Sequence, residues 1–473
     1  MNTPIDKLLA DLTHPLAQEQ AEQICALGPE VVVAVLMYLS AQLQRQEQAD
    51  RPQSGPHTPS SAIPPYHKPC KRTRGNKPGG KHGHAGHCRP QPQTITRQVK
   101  HPPLKQCPHC GSRVCKPTRE RVRYVEDIPH VHPEVTQHTI PQQWCPSCHK
   151  LVEPVVDEAM PKATLGHRVV VLTAWLHYGL AMTLSQVVSL LRGQMHFHVS
   201  EGGLVDAWYR LADVLSAWYE QIGEDVKTAS VLFADETGWR YNALLRWLWC
   251  FTTRHATFYM IDRSRGSPAL NRFFTEAFDG VLVSDFWAAY HAVECADRQV
   301  CLSHLLREIA WVDERDRSQD WCAFSRKLKR LLRDGLRLKR SDRLPEHRQR
   351  GALRLHRRLQ ALLKWECANA DVQRILKRLR RHQDFIFAFL DYEDVPADNN
   401  HAEREIRLAV TMRKNSYCNR SEAGALTQGV LMSVYRTLKL RGHEPLPTIV
   451  DALKTYVRTG QIPPLPGPNV VQG

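Results

Sequence analysis

Asp235 closes a short apolar run, Ser230-Val-Leu-Phe-Ala-Asp235, and Asp285 closes another, Gly280-Val-Leu-Val-Ser-Asp285. Each run has the length and composition of a buried strand. In open α/β sheets, ligands gather beyond strand ends, so two neighbouring strands of this kind would bring both carboxylates together. Side by side the carboxylates repel. A pair of hard cations resolves the conflict, because magnesium accepts carboxylate oxygens and keeps positions open for phosphate and water. Two such ions, roughly 3.5–4 Å apart, clamp the attacking and leaving oxygens of an in-line phosphoryl displacement.

A third carboxylate, Glu403, lies within Asp398-Asn-Asn-His-Ala-Glu-Arg-Glu-Ile-Arg407, in the first turn of an expected helix. Arg404, Arg407, Arg413 and Lys414 follow on the same stretch and could hold flanking phosphates. The acids also have purely structural readings. Asp235 and Asp285 suit turns or helix N-caps, and Glu403 fits a capping box opened by Asn400. Glu236 and Glu405 stand close by, and periodicity alone does not choose among these acids.

A second chemistry resides in the cysteines. Cys107-Pro-His-Cys110 and Cys145-Pro-Ser-Cys148 are paired two-residue-gap knuckles. Together they supply four thiolates for a closed structural zinc site, with no open position for water. The gap between them is long for a ribbon, and a β-hairpin could bridge it. Cys115 and His149 are spare candidates.

These groups need elements to position them. Residues 1–50 read as helical, with a possible coiled coil, since Val32, Val35, Leu36, Leu39 and Leu43 keep a helical period. Residues 51–106 read as a basic Pro/Gly-rich linker, and 107–150 as the zinc module. Residues 162–225 turn helical, and Gly193 between two expected helices allows a helix-turn-helix. From Ser230 the period changes to strands: Ser230–Asp235, Arg246–Thr252, Ala256–Ile261, Gly280–Asp285 and Arg298–Leu302, with Phe286–Ala292 as a short helix. This order predicts a mixed α/β sheet. Basic helices follow from His304 to about Phe389, then a helical stretch from His401 to about Lys439, broken near Asn419–Gly424.

The chain has 473 residues and a formal net charge of +16, which suits a polyanion partner such as nucleic acid. No Asp or Glu occurs from Arg51 through Arg119. Arg72, Arg74, Lys77 and Lys81 in that stretch are expected to contact DNA phosphates, with salt-sensitive affinity. No apolar run is long enough for a transmembrane helix, and no secretory signal is read, so no membrane partner is expected and a cytoplasmic location is. The 14 cysteines then read as metal ligands or core residues and not as disulfides.

The motifs as a set resemble the large transposase of bacterial insertion sequences of the IS-sixty-six group, a TnpC-type DDE transposase. The matching stretches are Lys77-Pro-Gly-Gly-Lys-His-Gly-His84, the two knuckles, Asp235-Glu-Thr-Gly-Trp-Arg240, Ser284-Asp-Phe-Trp-Ala-Ala-Tyr290, Cys301-Leu-Ser-His-Leu-Leu-Arg307, Asp398-Asn-Asn-His-Ala-Glu-Arg404 and Arg413-Lys-Asn415. The resemblance implies an RNase H-like catalytic domain over 228–418, with a helical insertion at about 305–395 and a C-terminal helical region and tail over 419–473. It also implies that Asp235, Asp285 and Glu403 form the catalytic triad and hold two magnesium (or manganese) ions per active site. The expected partners are double-stranded DNA (element ends and target), a homodimer or larger assembly on DNA, and accessory transposition proteins. The expected reaction is metal-dependent cleavage at insertion-sequence ends followed by strand transfer. Two other readings share part of this evidence. One is a zinc-containing DNA-binding regulator with an inactive nuclease core. The other is a different RNase H-like nuclease or integrase.

Overall fold

The computed structural model describes residues 25, 26, 28, 29, 31–33, 35, 37, 90–341 and 344–469. The expected N-terminal helical region lies almost wholly outside them, and so do Arg72, Arg74, Lys77 and Lys81. The chain divides into two compact units. One comprises Pro69–Leu215 with Glu444–Pro464, and the other includes Ser216–His443 and the segment from Leu465.

In the first unit, β1 (Gln143–Cys145) and β2 (Lys150–Val152) form an antiparallel hairpin with Cys145 opposite Lys150. This hairpin folds over the second cysteine pair. It does not bridge the two pairs as expected, because residues 114–142 form neither helix nor strand. Helix α1 (His167–Ala174) runs into a π-helical turn at Trp175–Gly179. Helix α2 (Leu184–Met195) begins with a reciprocal capping box between Thr183 and Gln186. Gly193 lies inside α2, and the turn comes later, at His196 with φ of 52°. Helix α3 (Glu201–Lys227) is 27 residues long, not a short second helix. Its buried Leu204, Trp208, Leu211 and Leu215 recur at the helical period, so packing on one face explains its length. Trp208 donates from its indole to Thr173 Oγ1 at 3.1 Å and stacks on His177.

Helix α3 carries the chain into the second unit, whose centre is a five-stranded sheet. Its strands are β3 (Val231–Tyr241), β4 (Leu244–Thr252), β5 (Thr257–Asp262), β6 (Phe278–Ser284) and β7 (Cys295–Val300). Helix α4 (Ser267–Phe273) precedes β6, and a single 3-10 turn at Ala288–Ala292 stands where a short helix is expected. The spatial order is β5-β4-β3-β6-β7. Strands β3, β4 and β5 are antiparallel neighbours, whereas β3, β6 and β7 run parallel. The expected mixed sheet is therefore present, with β3 and β6 side by side.

Four helices follow: α5 (Leu302–Arg315), α6 (Gln319–Lys339), α7 (Pro345–Leu363) and α8 (Ala370–Arg381). Each turns an apolar face inward, as its alternation of Leu and Arg predicts. Trp321, Phe324, Leu328, Leu355, Ile375 and Phe387 build this core, which is continuous with Phe233, Val283 and Val300 of the sheet. The charged faces remain outside, but Glu308 is an exception. Its carboxylate is buried and paired with Arg374 and Arg378 of α8, which locks α8 to α5.

Helix α9 (Asn400–Ser416) then packs on β3 and β4, and α10 (Glu422–Leu440) covers the edge strand β5. The edge amides of β5 are capped by hydroxyls of α10. Tyr259 N donates to Ser433 Oγ at 2.9 Å, and Thr257 N to Thr437 Oγ1 at 3.1 Å. Paired this way, the edge offers no template for another strand. Gly429 permits the approach, because a Cβ there would lie 2.9 Å from the Tyr259 carbonyl oxygen. Helix α11 (Pro445–Thr459) belongs to the first unit and packs on α1.

Candidate active site

Asp235 is not at the end of its strand as the sequence suggests. It sits in mid-strand, opposite Cys250 of β4, because the β3–β4 hairpin continues to Tyr241 and Leu244. The parallel pairing of β3 with β6 is shorter and stops at Phe233 and Val283. Asp235 and Asp285 each lie two residues beyond that last pair. The two carboxylates therefore flank the place where the parallel strands part. Asp285 is held by its own loop, since its Oδ1 accepts from Trp287 N at 2.8 Å.

Glu403 reaches the same place from α9. The loop before the helix is fastened at three points. Asn399 Nδ2 donates to the Ala234 carbonyl at 2.8 Å, Asn399 N donates to Cys301 Sγ at 3.2 Å, and Leu302 N donates to the Ala397 carbonyl at 2.9 Å. Asn399, not Asn400, is the N-cap, and its side chain makes no cap bond. The expected capping box is absent for that reason: the Asn399 amide is committed to the sheet, and Glu403 N bonds to the Asn399 carbonyl at 3.1 Å. The Glu403 side chain stands beside two basic groups. His304 Nε2 lies 3.7 Å from Glu403 Oε1 and Arg307 Nη2 lies 3.8 Å from Oε2.

The neighbouring acids are occupied elsewhere. Glu236 accepts two bonds from Arg265, each at 3.0 Å, and one from the Tyr290 hydroxyl at 2.7 Å. Arg265 is itself sandwiched between Trp247 and Trp287. Glu405 is buried and paired with Arg436, which donates from Nη2 at 2.6 Å and also from Nε. These contacts tie both acids to basic or hydroxyl partners.

The electrostatics agree with the geometry. Burial lifts the Asp235 carboxyl well above the usual range, and the charges of Glu236, Asp285 and Glu403 add to the effect. Asp285 is pushed up to about 7, by burial first and then by Glu236, against the pull of the Trp287 amide, Arg265 and Arg378. Glu403 Oε1 is buried and accepts no hydrogen bond. The three carboxylates offer oxygen donors only, which is the chemistry that suits magnesium or manganese, although among the described residues they do not draw together into one cluster.

Of the basic residues expected to hold phosphates, Arg404, Arg407 and Lys414 are exposed on α9. Arg413 is half-buried and turned to β3, where it donates to Thr237 Oγ1 at 2.8 Å and to the Gly238 carbonyl at 2.6 Å. That inward contact holds α9 along the strand.

In the first unit each cysteine knuckle forms a tight turn that ends in left-handed backbone. Gly111 follows Cys110 with φ of 72°, and His149 follows Cys148 with φ of 49°. Cys107 N bonds to the Ser112 carbonyl at 2.8 Å, and Cys148 N to Cys145 Sγ at 3.4 Å. Hydrogen bonds from Ser112 lower the Cys110 thiol, and those from Cys148 lower Cys145. Lowered thiols suit thiolate ligands, so Cys110 and Cys145 are suited to zinc. The two pairs do not draw together into one cluster among the described residues.

Several residues of the site are not legible from spacing. Asn399, Tyr290 and Arg265 act through contacts between distant segments. Cys301 and His304 lie beside Glu403, and their Cys-x-x-His spacing is a ligand signal that the sequence does carry.

Two comparisons with known families bear on this geometry. The sequence model described as "Transposase IS66 family" matches residues 162–427, more than half of the chain. The one described as "zinc-finger binding domain of transposase IS66" matches residues 105–149, which span both knuckles. No curated protein matches the chain. Among the described residues, no helix is long and apolar enough to cross a membrane.

Proposed function

We propose that this chain, which belongs to the transposase IS66 family, cuts DNA at the ends of an insertion sequence and joins those ends to a target. The reading rests on Asp235 and Asp285 lying two residues beyond the last β3–β6 pair and on the charge of Glu403 acting on Asp235. A five-stranded sheet in this order, with helices α5–α8 inserted before α9, is the architecture expected of an RNase H-like catalytic domain.

In this reading Asp235, Asp285 and Glu403 would hold magnesium or manganese, two ions per site. When bound, these ions neutralise phosphate charge and activate the attacking oxygen. The chain's own contribution is placement. Asn399 fixes Glu403 against β3, the Trp287 amide fixes Asp285, and Arg265 keeps Glu236 out of the donor set. Arg404, Arg407 and Lys414 present positive charge to phosphates on the exposed side of α9. A water oxygen attacks phosphorus at the element's end, and the bond to the 3′ oxygen breaks, leaving a 3′-hydroxyl. That hydroxyl then attacks a target phosphodiester, and the target's own 3′ oxygen departs.

The knuckles would hold one structural zinc and keep the module's DNA-facing surface folded. A dimer or larger assembly on DNA follows from the need to cut and join two ends together. The experiment is incubation of the full chain with labelled DNA carrying flanking element ends, with magnesium or manganese. The expected result is nicking at the ends and joined products. Binding with no cleavage at any concentration of either ion, even with the element's accessory proteins present, would contradict the reading and favour a regulator with an inactive core.

A further inference from the structure

One cluster in the second unit shares Glu403 with the proposed magnesium chemistry and adds two side chains which that chemistry does not use. Cys301 Sγ, a ring nitrogen of His304 and a carboxylate oxygen of Glu403 all lie within 4.8 Å of one another. Cys301 stands at the N-cap of α5, and His304 is one turn along that helix. Glu403 arrives from α9. We propose that these three residues form a second transition-metal site, distinct from the cysteine knuckles, which takes zinc and withdraws Glu403 from the catalytic ions.

The donor set argues for the metal class. One sulfur, one nitrogen and one oxygen suit zinc or cobalt, whereas magnesium demands oxygen and binds thiol sulfur poorly. A tetrahedral ion places nitrogen and oxygen ligands, with bonds of about 2.0–2.2 Å, roughly 3.3–3.6 Å apart. His304 Nε2 and Glu403 Oε1 stand 3.7 Å apart, so a small inward shift seats the ion. The sulfur is aimed by a bond from Asn399 N at 3.2 Å, so the same loop that positions Glu403 also positions the thiol. Glu403 Oε1 accepts no hydrogen bond. Cys301 is buried, while His304 and Glu403 are only partly covered, at 19% and 26% exposure, so an ion enters from the Glu403 side. Three protein ligands leave a fourth position for water, as in other open zinc sites.

The consequence is a switch. Glu403 cannot serve both ions at once, so zinc beyond the knuckles' need suppresses cleavage. That consequence rests on the reading of Glu403 as catalytic, whereas the binding itself does not.

The test uses the full chain with its knuckles loaded with zinc, titrated with cobalt(II) and followed by absorption. The expected result is one further equivalent of cobalt with a thiolate charge-transfer band in the near ultraviolet. Cys301→Ser, which places a favourable N-cap residue there, abolishes that band, and His304→Gln weakens binding by about tenfold or more. Thermal melts of both variants establish that they fold. No further equivalent in the folded wild type, or a band unchanged in folded Cys301→Ser, would overturn the proposal. The reading of Glu403 is tested apart from this: a Glu403→Gln chain that still cleaves DNA removes the switch and leaves the optical result standing.

Discussion

The Asn399 side-chain amide donates to the Ala234 carbonyl across 2.8 Å, directly before Asp235. One bond thus ties the start of the helix that bears Glu403 to the strand that bears Asp235, across 165 residues of sequence. Asn399→Ala removes the donor and leaves a buried carbonyl unpaired. The expected cost is about 1–3 kcal/mol of stability in urea unfolding. The rate of DNA cleavage should fall further than that loss of folded protein explains. Equal cleavage per folded molecule would show that the bond positions nothing.

The two acids on α9 should separate by phenotype. Glu405→Ala breaks a buried ion pair with Arg436 and is expected to cost about 3–5 kcal/mol. Glu403→Gln removes repulsion among the carboxylates, so it should leave metal-free stability unchanged or higher while ending cleavage. Denaturation curves read beside a cleavage assay check both expectations.

The fold was largely legible because its elements have strong local patterns. The apolar runs ending at Asp235 and Asp285 read as strands, and the basic helices after His304 kept their period. Local pattern does not reveal which neighbour a strand outlasts. Asp235 looked like a strand end because the apolar run stops there, yet pairing with β4 extends the strand to Tyr241. Glu403 and Glu405 cannot be told apart without knowing that Asn399 spends its side chain on the sheet and that Arg436 comes from another helix. Arg413 follows Glu403 on the same stretch and so reads as a phosphate ligand, but Thr237 and Gly238 draw it inward. Gly193 marked a turn by composition, and helix α2 absorbed it.

The pH dependence of metal-free stability has a defined sign. Asp285 is raised to about 7 and Asp235 is also raised, so the folded chain holds protons that the unfolded chain has already released. Stability from these groups is therefore highest below the unfolded carboxylate range and declines as pH rises from about 4 to about 7. Thermal melts in chelator should show that decline. Asp235→Asn with Asp285→Asn should flatten it, and magnesium should restore stability at neutral pH. A wild-type profile that rises over the same window would contradict the electrostatic account.

Removing the knuckle zinc should unfold the module locally. Cys107→Ser or Cys145→Ser is expected to lower the tightly bound zinc by about one ion per chain, measured by metal analysis, because structural zinc supplies much of a small module's folding energy. Binding to element ends should weaken while the melting of the sheet-bearing unit stays near its wild-type value. Full zinc content in both variants would exclude a four-thiolate site.

The most direct measurement is single-turnover cleavage of end DNA already bound to the chain, comparing wild type with Asp285→Asn in magnesium. The triad account predicts unchanged DNA affinity and a cleavage rate lowered on the order of a thousandfold or more. Cleavage by Asp285→Asn within a few-fold of wild type would contradict it.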